Sequence, residues 1–372
     1  MDKQVKNVII VGGGPGGGSQ VAKFVAEKLP SAKVTLINAH PYAISRPTLP
    51  RMIVSDTNDL LDTALIPYDK LFTTPNASFV EGVVESIQAD KSGHVLLKDG
   101  KQLPYDVLVL APGSIWEGPL NIPDDSAAVK PFIAESRAKF AGAQSIVLVG
   151  GGAVGVEFAG EIKDIWPSKK VTIVHGADQL MNDTYPSNFR KGLEKGLRDR
   201  DIHLILDDFV DDLPSPGDTS VKTRRGNVIS ADLVITTRGP RPRTDFVGKS
   251  LGDDTLDERG QIKVKPTLQL LNHPNIFAIG DAINTVEQKQ VMKAIAHSAI
   301  AAANVVAYLS GSAKLKEYKG SSEVIVVTNG KGGGRAYMGI LWGITLGAWF
   351  ARMIKSKTLL VPMTRGSMGY KS

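Results

Sequence analysis

Val8-Ile9-Ile10-Val11-Gly12-Gly13-Gly14-Pro15-Gly16-Gly17-Gly18 is the stretch that decides how this chain folds. A short β-branched run ends in glycines, and a helix-compatible segment follows from about Gln20 to Leu29. The G-x-G-x-x-G spacing falls on Gly12, Gly14 and Gly17. Such a turn suits a dinucleotide: it reverses tightly, lets backbone approach a pyrophosphate and presses a helix onto a strand. The free N–H groups of the helix then face the phosphates. Glycine-rich turns have many uses, so one copy decides little.

The pattern recurs. Ser145-Ile146-Val147-Leu148-Val149 leads into Gly150-Gly151-Gly152-Ala153-Val154-Gly155, with a helical stretch through Lys163. A second strand closes each unit, Val34-Thr35-Leu36-Ile37 before Asn38 and Lys170 to Val174 before His175. First glycine and strand-end residue are 26 positions apart in one copy and 25 in the other. Two matched units in one chain point to two dinucleotide sites. At the strand ends an acid usually grips a ribose. Asn38 offers donor and acceptor without charge, and His175, neutral or cationic, would tolerate the 2′-phosphate of NADPH. His175 also reads as a plain histidine at a strand end.

Composition narrows the chemistry. The chain has 372 residues, suiting two or three domains, and no cysteine. That excludes disulfide frameworks, thiolate metal sites, cysteine nucleophiles and a redox-active cysteine pair; no metal site is expected. The net charge of +6 is uneven, because residues 314–372 hold ten Lys and Arg against two Glu. Basicity belongs to the C-terminal segment, so a general nucleic-acid role is not expected. Met1 to Lys6 is polar and lacks both a secretory apolar region and a myristoylation glycine, which favours an intracellular protein.

Three further segments matter. Asp106 to Ser114 is a buried strand closing on Ala111-Pro112-Gly113, and Asp232 to Gly239 repeats that arrangement. Asn275-Ile276-Phe277-Ala278-Ile279-Gly280-Asp281 is a strand running into Gly-Asp before a helix. Together with Glu157-x-x-x-Glu161-Ile162-Lys163, Ala302-Ala303-Asn304 and Lys355-Ser356-Lys357, these segments give the chain its family likeness. It resembles the pyridine-nucleotide-disulfide oxidoreductase superfamily over nearly its whole length. Within it, the chain is similar to the cysteine-free branch of apoptosis-inducing-factor-like proteins and type II NADH dehydrogenases, and to the apoptosis-inducing factor 2, or ferroptosis suppressor, group. Pro112, where that family often has threonine, and Asn38 depart from its pattern.

The resemblance implies an α/β fold of two Rossmann-like dinucleotide-binding domains with a small α/β C-terminal domain. It implies FAD on Gly12, Gly14, Gly17, Asn38, Arg51, Val84, Ala111, Gly113, Gly280 and Asp281, the last on the ribityl chain. NADH or NADPH would meet Gly150, Gly152, Gly155, Glu157, His175 and Gly239. Glu157 would reach the nicotinamide or the flavin edge, with Glu161 one turn later; a carboxylate there also simply favours the helix. Lys289 or Lys293 would place a cation near the flavin, and His297 would act as proton donor or else sit as a core histidine. Arg46 to Arg51 suits the FAD pyrophosphate.

Residues 1–113 and 255–313 are expected to form the FAD domain, 114–254 the NAD(P)H domain and 314–372 the C-terminal domain. Glu323 to Val327 and Tyr337 to Leu341 read as strands joined by a glycine-rich hairpin, with a helix from about Ile344 to Lys357. The 16 uncharged residues between Arg335 and Arg352 are short for a membrane span. Their tryptophans and flanking cations suit a helix lying on anionic lipid, and equally one buried at a domain or dimer interface. The implied activity is electron transfer from NAD(P)H through FAD to a quinone, in the cytoplasm or at a lipid-droplet, mitochondrial or plasma-membrane surface. The alternatives are reduction of a ferredoxin- or rubredoxin-type protein and a redox-gated binding or signalling role.

Overall fold

A computed structural model describes residues 5–89, 93–215 and 218–371. Residues 1–4 of the polar start, and Pro216 and Gly217, lie outside the described residues.

The chain opens with β1 (Asn7–Val11), α1 (Gly18–Lys28) and β2 (Lys33–Asn38), followed by a short buried α2 (Leu49–Val54), β3 (Ala77–Glu81) and β4 (Val107–Leu110). Strand β1 is apolar at nearly every position because its parallel sheet is buried on both faces. Its neighbours are β2 and β4, with Val8 opposite Val34 on one side and Val107 on the other. A small antiparallel sheet (Val84–Gln88, His94–Leu97, Gln102–Pro104) is inserted between β3 and β4.

After α3 (Ser126–Gly142) the second unit runs β5 (Ser145–Val149), α4 (Ala153–Ile165), β6 (Lys170–Val174), α5 (Ser187–Arg198), β7 (Ile202–Ile205) and β8 (Leu233–Thr236). Its sheet has the order β7-β6-β5-β8, all parallel. The chain leaves the first sheet at Ser114–Ile115 and re-enters at Arg241–Pro242, and these two segments pair antiparallel. Returning, β9 (Ile276–Ala278) adds beside β4 and completes the order β9-β4-β1-β2-β3. The helix that follows, α6 (Val291–Leu309), has the length and apolarity of a membrane span. It packs against α1 and buries Lys293, His297, Ser298 and Asn304 inside the protein.

The C-terminal segment is a three-stranded antiparallel sheet, β10 (Val324–Asn329), β11 (Gly333–Met338) and β12 (Ile344–Leu346). Two expectations need correction here. Gly333 and Gly334 belong to a strand rather than to the turn, and β11 stops at Met338. Ile344-Thr345-Leu346 is a strand instead of the start of a helix. Glycines at 339, 343 and 347 disfavour helix, while the β-branched pair Ile344-Thr345 suits a pleated surface. The helix begins only after Gly347, as α7 (Ala348–Ala351) continuing through a π-turn at Arg352–Ser356; α8 (Val361–Ser367) follows.

Two large cores result. One surrounds the first sheet. The other joins the second sheet to α2 and α3, and reaches Val327, Leu359 and Val361 of the C-terminal segment. Residues 44–65, which by sequence adjoin the first nucleotide unit, thus bury much of their apolar surface in the second core.

That placement explains Arg51. Its guanidinium is buried and forked onto Glu161 of α4, at 2.8 and 2.9 Å, and donates to the carbonyl of Ser356 at 2.7 Å. Burial raises the Glu161 pKa and the Arg51 pair opposes it. Arg51→Met should cost about 3–5 kcal/mol of stability, because Glu161 is left buried and unpaired. Without Arg51 the folded pKa of Glu161 lies above the unfolded value of about 4.3, so stability kept in acid is lost as pH rises through the folded value. Urea denaturation should therefore show a larger deficit at about pH 7.5 than at about pH 5; equal deficits would contradict this account.

Candidate functional site

The two glycine turns can be compared atom by atom. A Cβ on Gly155 would stand 2.0 Å from the Gly150 carbonyl oxygen. In the first turn the residue with that contact is Gly18, whose Cβ would stand 2.0 Å from the Gly12 oxygen. Gly17, assigned this role by spacing, would meet nothing closer than 3.9 Å. The run Gly16-Gly17-Gly18 offered three choices, and the first turn is one residue longer than the second before its helix presses down. Gly12 and Gly150 both have left-handed backbone, at φ 97° and 124°. Gly14 and Gly152 are the middle glycines, and a Cβ on either would meet nothing within 4 Å. Open space above a bare backbone at the start of a helix is what an incoming pyrophosphate requires.

The strand-end residues act alike. The Gly13 N–H donates to Asn38 Oδ1 at 3.0 Å, and the Gly151 N–H donates to His175 Nδ1 at 3.0 Å. The other ends are held too. Asn38 Nδ2 donates to the His40 carbonyl at 3.0 Å, and His175 Nε2 lies 3.1 Å from the Met181 carbonyl. An Nδ1 that accepts a backbone proton cannot carry one, so His175 is the neutral Nε2–H tautomer. Burial lowers its pKa, the Met181 carbonyl works against that, and Arg190 lowers it further. The cationic His175 allowed by sequence is therefore corrected to a neutral one.

Around the first turn, a Cβ on Gly12 would collide with the Ala111 carbonyl at 2.0 Å, which places the end of β4 directly beside it. Tyr68 is buried on the other side and donates from its hydroxyl to the Gly13 carbonyl at 2.8 Å. Gly113 has left-handed backbone and open space where its Cβ would be. Ser114 Oγ donates to Asp281 Oδ2 at 2.8 Å, tying the end of the β4 segment to the Gly-Asp turn after β9. Arg46 is exposed; desolvation by its surroundings lowers its pKa, Arg243 adds to that, and Asp281 and Asp124 oppose it. Arg46, not Arg51, is thus the arginine on the Asp281 side. Ser114 carried no signal in sequence. Val84 lies just beyond β3, buried and paired with Leu97. Gly239, after β8, again opens onto space.

Other candidates are engaged elsewhere. Glu157 is nearly buried; its Oε1 accepts from Lys355 Nζ at 2.6 Å and from the Thr328 N–H at 3.1 Å, so the carboxylate is turned to the C-terminal sheet. Lys289 Nζ donates to the Ile283 and Thr285 carbonyls at 2.6 and 3.2 Å and staples its own loop, with its pKa lowered by burial. Lys293 donates to the carbonyls of Ser321 and Ser322. His297 is buried, accepts from the Gly280 N–H at 3.2 Å, and sets Nε2 2.7 Å from Glu287. Burial lowers its pKa against the pull of Glu287, so it is a buried core histidine rather than an exposed proton donor. The family resemblance placed lysine and histidine near the flavin, and a resemblance does not say which way a side chain turns.

Two nucleotide turns on parallel sheets, with a Gly-Asp segment brought back to the first, define a two-dinucleotide-binding flavoprotein. The chain belongs to the pyridine nucleotide-disulphide oxidoreductase family, whose model matches residues 6–303. It is similar to the FAD-dependent oxidoreductase FVFD30 of Flammulina velutipes, 44% identical over 86% of this chain and 99% of that protein. Ferroptosis suppressor protein 1 of Mus musculus is 29% identical over 97% of this chain and 95% of its own. Among solved structures, the sulfide:quinone oxidoreductase of Aquifex aeolicus superposes with a TM-score of 0.78 at 19% identity, covering 98% of this chain and 92% of that one. The cofactors are accordingly FAD and NAD(P)H, and the protein is an oxidoreductase.

Because His175 Nδ1 receives the Gly151 N–H, its imidazole should stay neutral as pH falls through about 6.5, the ordinary histidine value. Since its folded pKa is depressed, the stability it contributes is present above that value and lost as pH falls through the folded one. Long-range ¹H–¹⁵N spectra should show the Nε2–H tautomer through this range. An imidazolium signal with a midpoint at or above the ordinary value would refute the assignment.

Proposed function

We propose that this oxidoreductase passes electrons from NAD(P)H to a membrane quinone. The reading is carried by the C-terminal segment, where Leu341, Trp342, Trp349, Met353 and Met363 stand exposed, as do Arg352 and Lys357. Each apolar side chain of that size left in water forgoes about 1.5–3 kcal/mol of burial. Several together on a basic segment match an apolar, anionic lipid surface. The same segment is bound to the nucleotide machinery, since β10 packs along α4, the helix that rises from the second glycine turn.

FAD, when bound, supplies the two-electron relay between a hydride donor and the acceptor. The balance is one NAD(P)H, one quinone and one solvent proton giving NAD(P)⁺ and hydroquinone. The sequence has no cysteine, so a dithiol acceptor within the chain is excluded. The chain's own residues fit a binding role for both cofactors. Gly14 and Gly113 leave room for FAD, and Asp281, fixed by Ser114, would hold its ribityl chain. Gly152 and Gly239 leave room for the nicotinamide dinucleotide. The Glu157–Lys355 pair joins α4 to the C-terminal segment, so this face is held rigidly against the NAD(P)H domain.

Purified protein should oxidise NADH or NADPH with a short-chain ubiquinone as acceptor, and no turnover with either donor would end this reading. Trp342→Ser combined with Trp349→Ser should reduce flotation with anionic liposomes about tenfold or more, given the apolar area removed. Turnover of a water-soluble quinone should not change in the same variant. Undiminished flotation would remove the membrane part, and efficient turnover only with an iron–sulfur protein would replace the quinone.

A further inference from the structure

The second glycine turn has a feature that its chemistry so far does not use. Beside it, at the C-terminal edge of the second sheet, lies an aromatic ring with no core to fill. Phe209 is 44% exposed, although it sits within a loop held to the sheet by backbone hydrogen bonds. The Asp208 N–H donates to the His175 carbonyl at 3.1 Å, and the Asp207 N–H to the Ala177 carbonyl at 2.9 Å. The ring lies against the chain just beyond His175, so that a Cβ on Gly176 would stand 2.2 Å from it. The guanidinium of Arg224 lies over the ring at 4.3 Å.

Arg238 approaches from the opposite side of the turn. Its backbone adjoins Gly150, and its side chain reaches across to donate to the carbonyl of Val210, next to Phe209. Arg224 and Arg225 are neutralised by Asp211 and Asp207. Among the described residues Arg238 forms no ion pair; Asp211, whose pKa it helps to lower, is already paired with Arg224, and the guanidinium of the exposed Arg238 donates to a neutral carbonyl. The position where a carboxylate would repel a 2′-phosphate is held by the neutral His175. An exposed aromatic and an arginine without an ion pair of its own, at the carboxyl ends of parallel strands, form the recognition set for a purine and a phosphate.

We infer that the loops after β6, β7 and β8 form an adenosine site in which Phe209 carries the adenine and Arg238 receives a phosphate on its ribose, so that NADPH is preferred to NADH. The inference rests on the second glycine turn being the nicotinamide-dinucleotide turn. Aromatic stacking tolerates any base, so Phe209 gives affinity to both donors. Arg238 discriminates, because a charge-assisted hydrogen bond to phosphate exists for only one of them.

Flavin-loaded protein, whose first site is filled, can be titrated calorimetrically with adenosine 2′,5′-bisphosphate and with 5′-AMP. The bisphosphate should bind about tenfold more tightly. Arg238→Gln should abolish that difference while leaving 5′-AMP affinity unchanged, and the NADPH-over-NADH ratio of kcat/KM should fall with it. Phe209→Ala should weaken both fragments about tenfold, and Phe209→Trp should retain them. Equal affinity of wild type for the two fragments, or equal loss of both in Arg238→Gln, overturns the inference. If wild type binds neither fragment nor NADPH, the assignment of the second turn falls as well.

Discussion

The second nucleotide unit, the α2 segment and the C-terminal segment meet on one helix, and two buried carboxylates on that helix hold the assembly. Glu157 and Glu161 lie one turn apart on α4, where a charged side chain can be kept out of water only if a cation meets it. Lys355 meets the first and Arg51 the second. Arg51 arrives from α2, near the start of the chain, and Lys355 from near its end. The helix that carries the second glycine turn at its N-terminus therefore binds both remaining parts of the protein. Gly160, between the two carboxylates, leaves no room for a side chain; a Cβ there would lie 2.3 Å from the Gly330 nitrogen. This closeness brings the β10–β11 turn onto α4 and makes the C-terminal sheet part of the nucleotide domain's surface.

The two nucleotide units solve one problem with different residues. Each turn must bring a helix within contact of a strand end and still leave its middle glycine bare. Each must also hold the N–H of the residue between the first two glycines. Asn38 does this in one copy and His175 in the other, both as neutral acceptors. Neither therefore supplies the charge that an acid would bring to a ribose, which shifts the burden of recognition onto neighbouring loops. In the second unit those loops carry an exposed ring and three arginines.

Much of the fold was legible in the sequence. The apolar strands, the glycine spacings and the Gly-Asp segment gave two parallel sheets and the return of β9 to the first, because parallel strands buried on both faces read as continuous apolar runs. The glycine run at 16–18 was ambiguous, since a spacing rule assumes a turn of fixed length. The C-terminal helix was placed too early because apolar composition outweighed Gly347 inside it and Gly339 and Gly343 just before it. Ser114 was invisible: a hydroxyl that fixes a carboxylate 167 residues away has no local signature.

Sequence by itself determined the class of this protein, its two dinucleotide turns and the exclusion of thiol chemistry. Each of these depends on residue types at short spacing or on an absence from the composition. Only the tertiary structure decided what the charged side chains do. Arg51, Glu157, Lys289, Lys293 and His297 all lie at plausible distances along the chain from the turns, yet all are consumed by partners inside the fold. A buried charge must find its counterpart wherever packing brings one, and the two pairs on α4 join residues remote in sequence, Glu161 with Arg51 110 residues away and Glu157 with Lys355 198 residues away. The nucleotide turns are local objects and can be read in order. The ion pairs that brace them are products of packing, and they exist only once the chain has closed.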